Sequence, residues 1–218
     1  MSAAPLPTTI LLATRSAGKL RELRPLFAEA GIDISDLHSA GIDERPEEEG
    51  LERFETFEEN ALAKARYFFA RGGGGPVVAD DSGLEVAALG GRPGVRSKRW
   101  SNRPDLRGRA LDAANNAKLL DELEIAAKTS GASEIDRRAR YVCIAAYVDG
   151  SEERVFRGEC TGHILYEPRG FEGFGYDPLF ELDELKVTFA ELDRAAKERV
   201  SHRGRAFRQL VAALRGDS

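Results

Sequence analysis

Between Arg140 and Cys160 the chain carries two β-patterned runs, Arg140-Tyr141-Val142-Cys143-Ile144-Ala145-Ala146-Tyr147-Val148 and residues 153–160, with Asp149-Gly150 between them. Such runs across an Asp-Gly pair read as an antiparallel hairpin closed by a two-residue turn. The same chain opens on a short apolar strand, Thr9-Ile10-Leu11-Leu12-Ala13. A helical pattern over 18–30 follows, with Leu20, Leu23, Leu26 and Phe27 on one face and Gly31 as its stop. Strand-then-helix units favour parallel pairing and a hairpin is antiparallel, so a sheet containing both is mixed. The expected fold is therefore α/β, a mixed central β-sheet flanked by helices, with a lobe built on the hairpin and residues 1–218 forming one domain.

The remaining segments fit that frame. Pro25 should kink or restart the first helix, because it removes a backbone donor and crowds the preceding turn. Residues 43–59 hold nine carboxylates against Arg45 and Arg53, which reads as a solvated loop. Thr56-Phe57-Glu58-Glu59 is a capping box opening a helix through Ala61, Leu62, Ala65 and Phe68 toward Gly72. A second long helix fits 106–127, Leu179-Phe180 is a strand, Thr188-Phe189-Ala190-Glu191 is another capping box, and Ser201 caps the last helix.

Composition excludes several classes of function. A length of 218 residues is enough to bury a core without disulfides or structural metals. With 42% hydrophobic and 32% charged residues and a formal net charge of −5, no global field draws in nucleic acid or an anionic membrane. A polyanionic substrate then needs local basic groups or a metal. No apolar stretch approaches a transmembrane helix, and Met1-Ser2-Ala3-Ala4-Pro5 lacks a charged region leading into an apolar signal core, so a cytoplasmic location is expected. From a two-residue hairpin turn, Cys143 would face Phe156 and Cys160 would face Ala139. The thiols would then lie roughly 13 Å apart, so both are expected to be unpaired packing residues.

Four groups of residues carry potential chemistry. Asp80 and Asp81 end the apolar run Pro76-Val77-Val78-Ala79 and precede Ser82-Gly83, which would place hard oxygen ligands at the lip of a sheet, or would simply close a turn. Thr14-Arg15-Ser16-Ala17-Gly18-Lys19 joins the first strand to the first helix, where backbone amides, a helix dipole and a lysine suit phosphate. Only Gly18-Lys19 matches a Walker A loop. Glu52 could share a magnesium ion with Asp81, and Lys64 matters if its helix faces them. The loop Phe174-Gly175-Tyr176-Asp177 offers aromatic faces and a carboxylate for a base, and Lys197 with Ser201, His202 and Arg203 adds a basic cluster.

Taken in order, five segments resemble the inosine triphosphate pyrophosphatase family: residues 13–19, Thr56-Phe57-Glu58-Glu59-Asn60-Ala61 with Lys64-Ala65, Ala79-Asp80-Asp81-Ser82-Gly83-Leu84, Gly173-Phe174-Gly175-Tyr176-Asp177-Pro178, and Ser201-His202-Arg203-Gly204. The resemblance covers about 9–214. It implies two lobes with the active-site cleft between them, a homodimer with Trp100 or the hairpin faces in its interface, and Mg²⁺-dependent conversion of ITP, dITP or XTP into monophosphate and pyrophosphate. By the same carry-over, Thr14, Arg15, Ser16, Ala17, Gly18 and Lys19 would bind phosphates and Asp81 would be proton acceptor and metal ligand. Asp80 and Lys64 would line the reaction centre, and Ser82, Phe174, Gly175, Tyr176, Asp177, Lys197, His202 and Arg203 would contact the nucleotide. Counting back five residues from Phe57 points to Glu52 as the second metal ligand.

Two positions depart from the family pattern. Ser16 stands where the family usually has Asn, and Arg53-Phe54 follow Glu52 where it tends to have Thr-Gly, which leaves Glu49-Gly50 as a competing ligand position. A pyrimidine-preferring pyrophosphatase of related fold, or a nucleotide-binding module without catalysis, would carry the same motifs.

Overall fold

A computed structural model of the protein describes residues 9–131 and 134–216, so the N-terminal pentapeptide considered above lies outside the described residues. Six strands form one mixed sheet in the order β2-β1-β3-β4-β5-β6: β1 Thr9–Leu12, β2 Asp33–Asp36, β3 Val77–Val86, β4 Arg138–Val148, β5 Glu153–Ile164 and β6 Phe180–Leu182. β1 runs parallel to both β2 and β3, whereas β5 and β6 are antiparallel. The helices are α1 Ala17–Glu29, α2 Phe57–Arg71, α3 Gly108–Ser130, α4 Arg194–Val200 and α5 His202–Arg215.

The described residues divide into two compact units, one drawn from 9–81, 143–158 and 202–216, the other from 82–142 and 159–201. Each unit has its own apolar core, as expected where sheet faces and amphipathic helices bury their apolar sides. In the first, Ile10, Leu12 and Val78 of the sheet join Leu23 and Phe27 of α1, Cys143 and Ala145 of β4, and Phe207 and Leu210 of α5. The Phe27 and Phe207 rings meet edge to face at 5.9 Å. In the second, Leu84 and Val86 cluster with Leu119 and Leu123 of α3 and with Tyr141, Phe180 and Phe189. Both cysteines are free and buried.

Local chemistry sets the element ends. Ser16 caps α1, its hydroxyl accepting from the Lys19 amide at 3.4 Å, and Gly31 beyond the helix takes φ +71°. The helix runs through Pro25 without a break. Thr56 caps α2 by accepting from the Glu59 amide while its hydroxyl donates to the Glu59 carboxylate at 2.7 Å, so the reach back is to the hydroxyl. The capping box at Thr188 and Glu191 is complete.

Three further expectations need correction. Asp80, Asp81, Ser82 and Gly83 do not form a turn: β3 continues through them to Val86, because Leu84 and Val86 are fully buried and extend the apolar pattern. The hairpin turn is not Asp149-Gly150 alone. The connection occupies 149–152, where the Asp149 carboxylate accepts from the amides of Ser151 and Glu152 at 2.9 and 3.0 Å, so the register counted from a two-residue turn does not hold. Ser201 stands immediately before α5, at the cap position expected for the last helix, and it also ends α4, a separate short helix capped by Asp193. The acidic segment is only partly a solvated loop, because it includes the turn Pro46–Gly50, and the Glu48 carboxylate is held by Arg15 at 2.7 Å and by Arg71 at 2.8 Å.

Candidate active site

Because successive residues on a strand project to opposite faces, neighbours Asp80 and Asp81 are delivered to different partners. Asp80 is 1% exposed, and its Oδ2 receives the Lys19 ammonium at 2.8 Å and Arg203 Nε at 3.5 Å. Arg203, at the start of α5, also donates to the Glu22 carboxylate of α1 at 2.6 Å. The Cys143 thiol lies 3.8 Å from the same Asp80 oxygen, and burial together with the nearby Asp80 charge pushes that thiol far up. Asp80 Oδ1 is buried and has no hydrogen-bond partner.

Asp81 meets α2 instead. Its Oδ2 accepts from the Asn60 side-chain amide at 2.9 Å. One helical turn further on, the Lys64 ammonium donates to the Glu52 carboxylate at 2.5 Å and to the backbone carbonyl of Asp80. The electrostatics of the two aspartates diverge accordingly. Burial opposes ionisation of Asp80, but Lys19, Arg203 and Lys64 outweigh it and hold the carboxyl well below the usual range. Asp81 moves the other way: burial raises it, the Glu52 charge raises it further, and Lys64 only partly offsets both. Lys64 is held firmly protonated, since Glu52, Asp81 and Asp80 outweigh its own desolvation.

The donor set fits a hard divalent cation. Glu52 and Asp81 supply carboxylate oxygens, the like charge of Glu52 makes ionised Asp81 unfavourable until more positive charge arrives, and the buried Asp80 Oδ1 lacks a donor. Among the described residues no cluster of three or more His, Cys, Asp or Glu is arranged to hold a metal. Two carboxylates suffice for magnesium, which leaves its other positions to water and phosphate. Glu49, the competing ligand position, is exposed, whereas Glu52 is half-buried against Lys64. Among the described residues the non-glycine positions at positive φ are Asn102 and Lys186, so Phe54 follows Glu52 with ordinary backbone.

The second unit gathers another set. The Asp177 carboxylate accepts from the Phe174 amide at 2.8 Å and from the Lys197 ammonium at 2.6 Å, and that ammonium sits 4.8 Å from the centre of the Phe174 ring. Gly173 makes this possible at φ +76°: a Cβ there would come within 2.0 Å of Asp177 Oδ2. Tyr176 is buried and its hydroxyl donates to the Ser97 carbonyl at 2.8 Å, which makes it part of the loop's support.

The first unit thus brings together Lys19, Glu52, Lys64, Asp80, Asp81 and Arg203, and His202 is buried beside Arg203 in sequence. Thr14 accepts from the Ser16 amide at 3.2 Å, and Ala17 and Gly18 form the first turn of α1. Arg15 stands apart, with its guanidinium on Glu48 and the Ile42 carbonyl. Ser82 follows Asp81 along β3 and, with Phe174, Gly175, Tyr176, Asp177 and Lys197, belongs to the second unit. Glu22 and Asn60 had no assigned part in the sequence reading. The signal was spacing: Glu22 follows Lys19 by three residues and Asn60 precedes Lys64 by four, each pair on one helix face.

A family model described as the Ham1 family matches residues 10–213. The chain belongs to the Ham1 family. A dITP/XTP pyrophosphatase of Burkholderia pseudomallei is 47% identical over 209 residues, spanning 94% of this chain and 92% of its own length. The dITP/XTP pyrophosphatase of Mycobacterium bovis is 49% identical over 210 residues, with 96% and 97% covered. Among solved structures, a HAM1 protein from Coxiella burnetii superposes with a TM-score of 0.80 at 35% identity, covering 95% of this chain and 98% of its own. The family placement bears out the resemblance drawn from the five motifs, and the Ham1 neighbours share the mixed α/β architecture.

Proposed function

We propose that this Ham1-family chain is a nucleoside triphosphate pyrophosphohydrolase acting on dITP, XTP and ITP, and that 1–218 works as one domain. The reading is carried by the adjacent aspartates of β3, one held ionised by three cations and the other raised by burial beside Glu52. Environments that drive two carboxyls apart are how a protein assigns separate roles to identical groups. Asp81, less acidic than an ordinary carboxyl, is suited to accept a proton from water, while Asp80 keeps Lys19 and Arg203 in place.

In the proposed reaction a water oxygen bonds to the α-phosphorus and gives its proton to Asp81. The bond from the α-phosphorus to the oxygen bridging to the β-phosphate breaks, and pyrophosphate leaves with the electron pair. Asp81 and Glu52 would hold Mg²⁺, which when bound would polarise phosphate oxygens and favour ionised water. Lys19 and Lys64 neutralise charge growing on the leaving group, and the amides at the start of α1 receive phosphate oxygens. Arg15, engaged by Glu48, is assigned to holding the acidic segment instead of substrate. Phe174 stacks on the base, and Lys197 supplies charge and a donor beside it. A 6-keto purine presents an acceptor where adenine presents an amine, so donors from His202, Arg203 or loop amides would favour hypoxanthine and xanthine.

The test is pyrophosphate release with Mg²⁺ across dITP, XTP, ITP, GTP, ATP and dTTP. The first three should exceed the others by about 10²-fold in kcat/KM. Preference for dTTP would favour a pyrimidine enzyme, and tight dITP binding without release would make the chain a non-catalytic binder. The family resemblance also leads us to propose a cytoplasmic homodimer. Among the described residues no helix is long and apolar enough to cross a membrane.

A further inference from the structure

Asn60 lies in the first turn of α2 and is fully buried. Its side-chain amide has two donors and one acceptor to satisfy in this position. The Oδ1 accepts from the Phe54 amide at 2.9 Å, while Nδ2 donates to the Phe54 carbonyl at 3.2 Å and to Asp81 Oδ2 at 2.9 Å. Facing both backbone groups of one residue fixes which end of the amide is which, and the donor left over can only point at Asp81. Lys64, four residues on and therefore on the same helix face, joins the same two segments in the same way: Glu52 on one side, the backbone of Asp80 on the other. The inner face of α2 thus fastens the stretch 52–54 to strand residues 80–81 at two successive turns. Of the two fasteners, Asn60 is the one that is uncharged and cannot itself neutralise phosphate.

We propose that Asn60 is a positioning residue for the hydrolysis, setting the separation of Glu52 and Asp81 by tying the Asp81 carboxylate to the backbone two residues beyond Glu52. This rests on the pyrophosphohydrolase reading above. Removing such an outer partner of a metal-holding carboxylate costs on the order of 10–100-fold in metal affinity or activity. Two variants separate positioning from packing. Asn60→Ser removes the bridge, whereas Asn60→Gln keeps an amide but displaces it by one methylene.

Each variant is assayed well below its melting midpoint, with far-UV circular dichroism as the check on folding. The measurements are kcat and KM for dITP and, without nucleotide, Mn²⁺ affinity by electron paramagnetic resonance. Both variants should lose about tenfold or more in kcat and in Mn²⁺ affinity, with KM for dITP changed less than about threefold. Folded variants with unchanged kcat and Mn²⁺ affinity, however much earlier they melt, would overturn the proposal. Should one variant fail to fold, the other decides. If the native protein bound Mn²⁺ but released no pyrophosphate from dITP, the hydrolase reading would fall while the Mn²⁺ comparison still tested Asn60. A native protein that bound no Mn²⁺ would overturn the Asn60 proposal, while pyrophosphate release would still decide the hydrolase reading.

Discussion

Two neighbouring aspartates with opposite electrostatic fates lead to opposite mutational signs. Asp80 gives up its proton more readily folded than unfolded, so its stabilising contribution is complete above the ordinary carboxylate range and fades as pH falls below it. Asp81 holds its proton more tightly folded than unfolded, so its ionised form at neutral pH works against the fold, and that cost disappears as pH drops through its raised value. Asp80→Asn should therefore cost about 3–5 kcal/mol, because Lys19 and Arg203 lose a buried counter-charge. Asp81→Asn should raise the metal-free melting midpoint by a few degrees while lowering kcat by about 10³-fold or more. Thermal melts and single-turnover kinetics of the two variants decide the matter, and equal destabilisation of both would contradict the electrostatic division. In the metal-free protein the Asp81 carboxyl should titrate above the ordinary carboxylate range and move down as Mg²⁺ is added, which carboxyl-labelled NMR would follow.

The elements that sequence revealed are those whose cause is local. Ser16, Thr56 and Thr188 cap the elements they precede, and the leucines of α3 recur at helical spacing, so each could be read from a few neighbouring residues. β2 could not be: Asp33-Ile34-Ser35-Asp36 is a polar edge strand that exists because it pairs in register with β1. The passage of β3 through Asp80 to Gly83 was hidden for a similar reason, as turn-forming residues are held extended by the sheet around them. Close approach is another tertiary fact with a testable edge. A Cβ on Gly158 of β5 would come within 2.1 Å of the His202 carbonyl oxygen and 2.4 Å of the Ala206 amide nitrogen, so glycine is what lets the strand lie against the first turns of α5. Gly158→Ala should destabilise by about 1–3 kcal/mol and, by displacing the helix that carries Arg203, lower kcat as well. Calorimetry paired with pyrophosphate release checks it, and a stable, fully active variant would refute that dependence.

Across the whole molecule, chain order and spatial order differ. The first unit takes in three separated stretches of sequence, and Phe207 and Leu210 near the C-terminus complete a core begun by Ile10 and Leu23. Periodicity could mark each of these residues as buried but not say which would share a core, and only the ordered motifs, read together, linked Lys19, Asp81 and Arg203. One consequence of that assembled charge cluster concerns handling. Lys19 and Arg203 pair with Asp80, Arg203 also with Glu22, and Lys64 with Glu52, so most of the cluster's negative charge is matched by the protein's own groups. In EDTA the melting midpoint should stay within a few degrees of its value in millimolar magnesium, while pyrophosphate release stops. A midpoint collapse on chelation would show the cation to be structural. If the fold stands, an unmodified triphosphate could be soaked in and observed intact, with reaction started at will by adding the ion back.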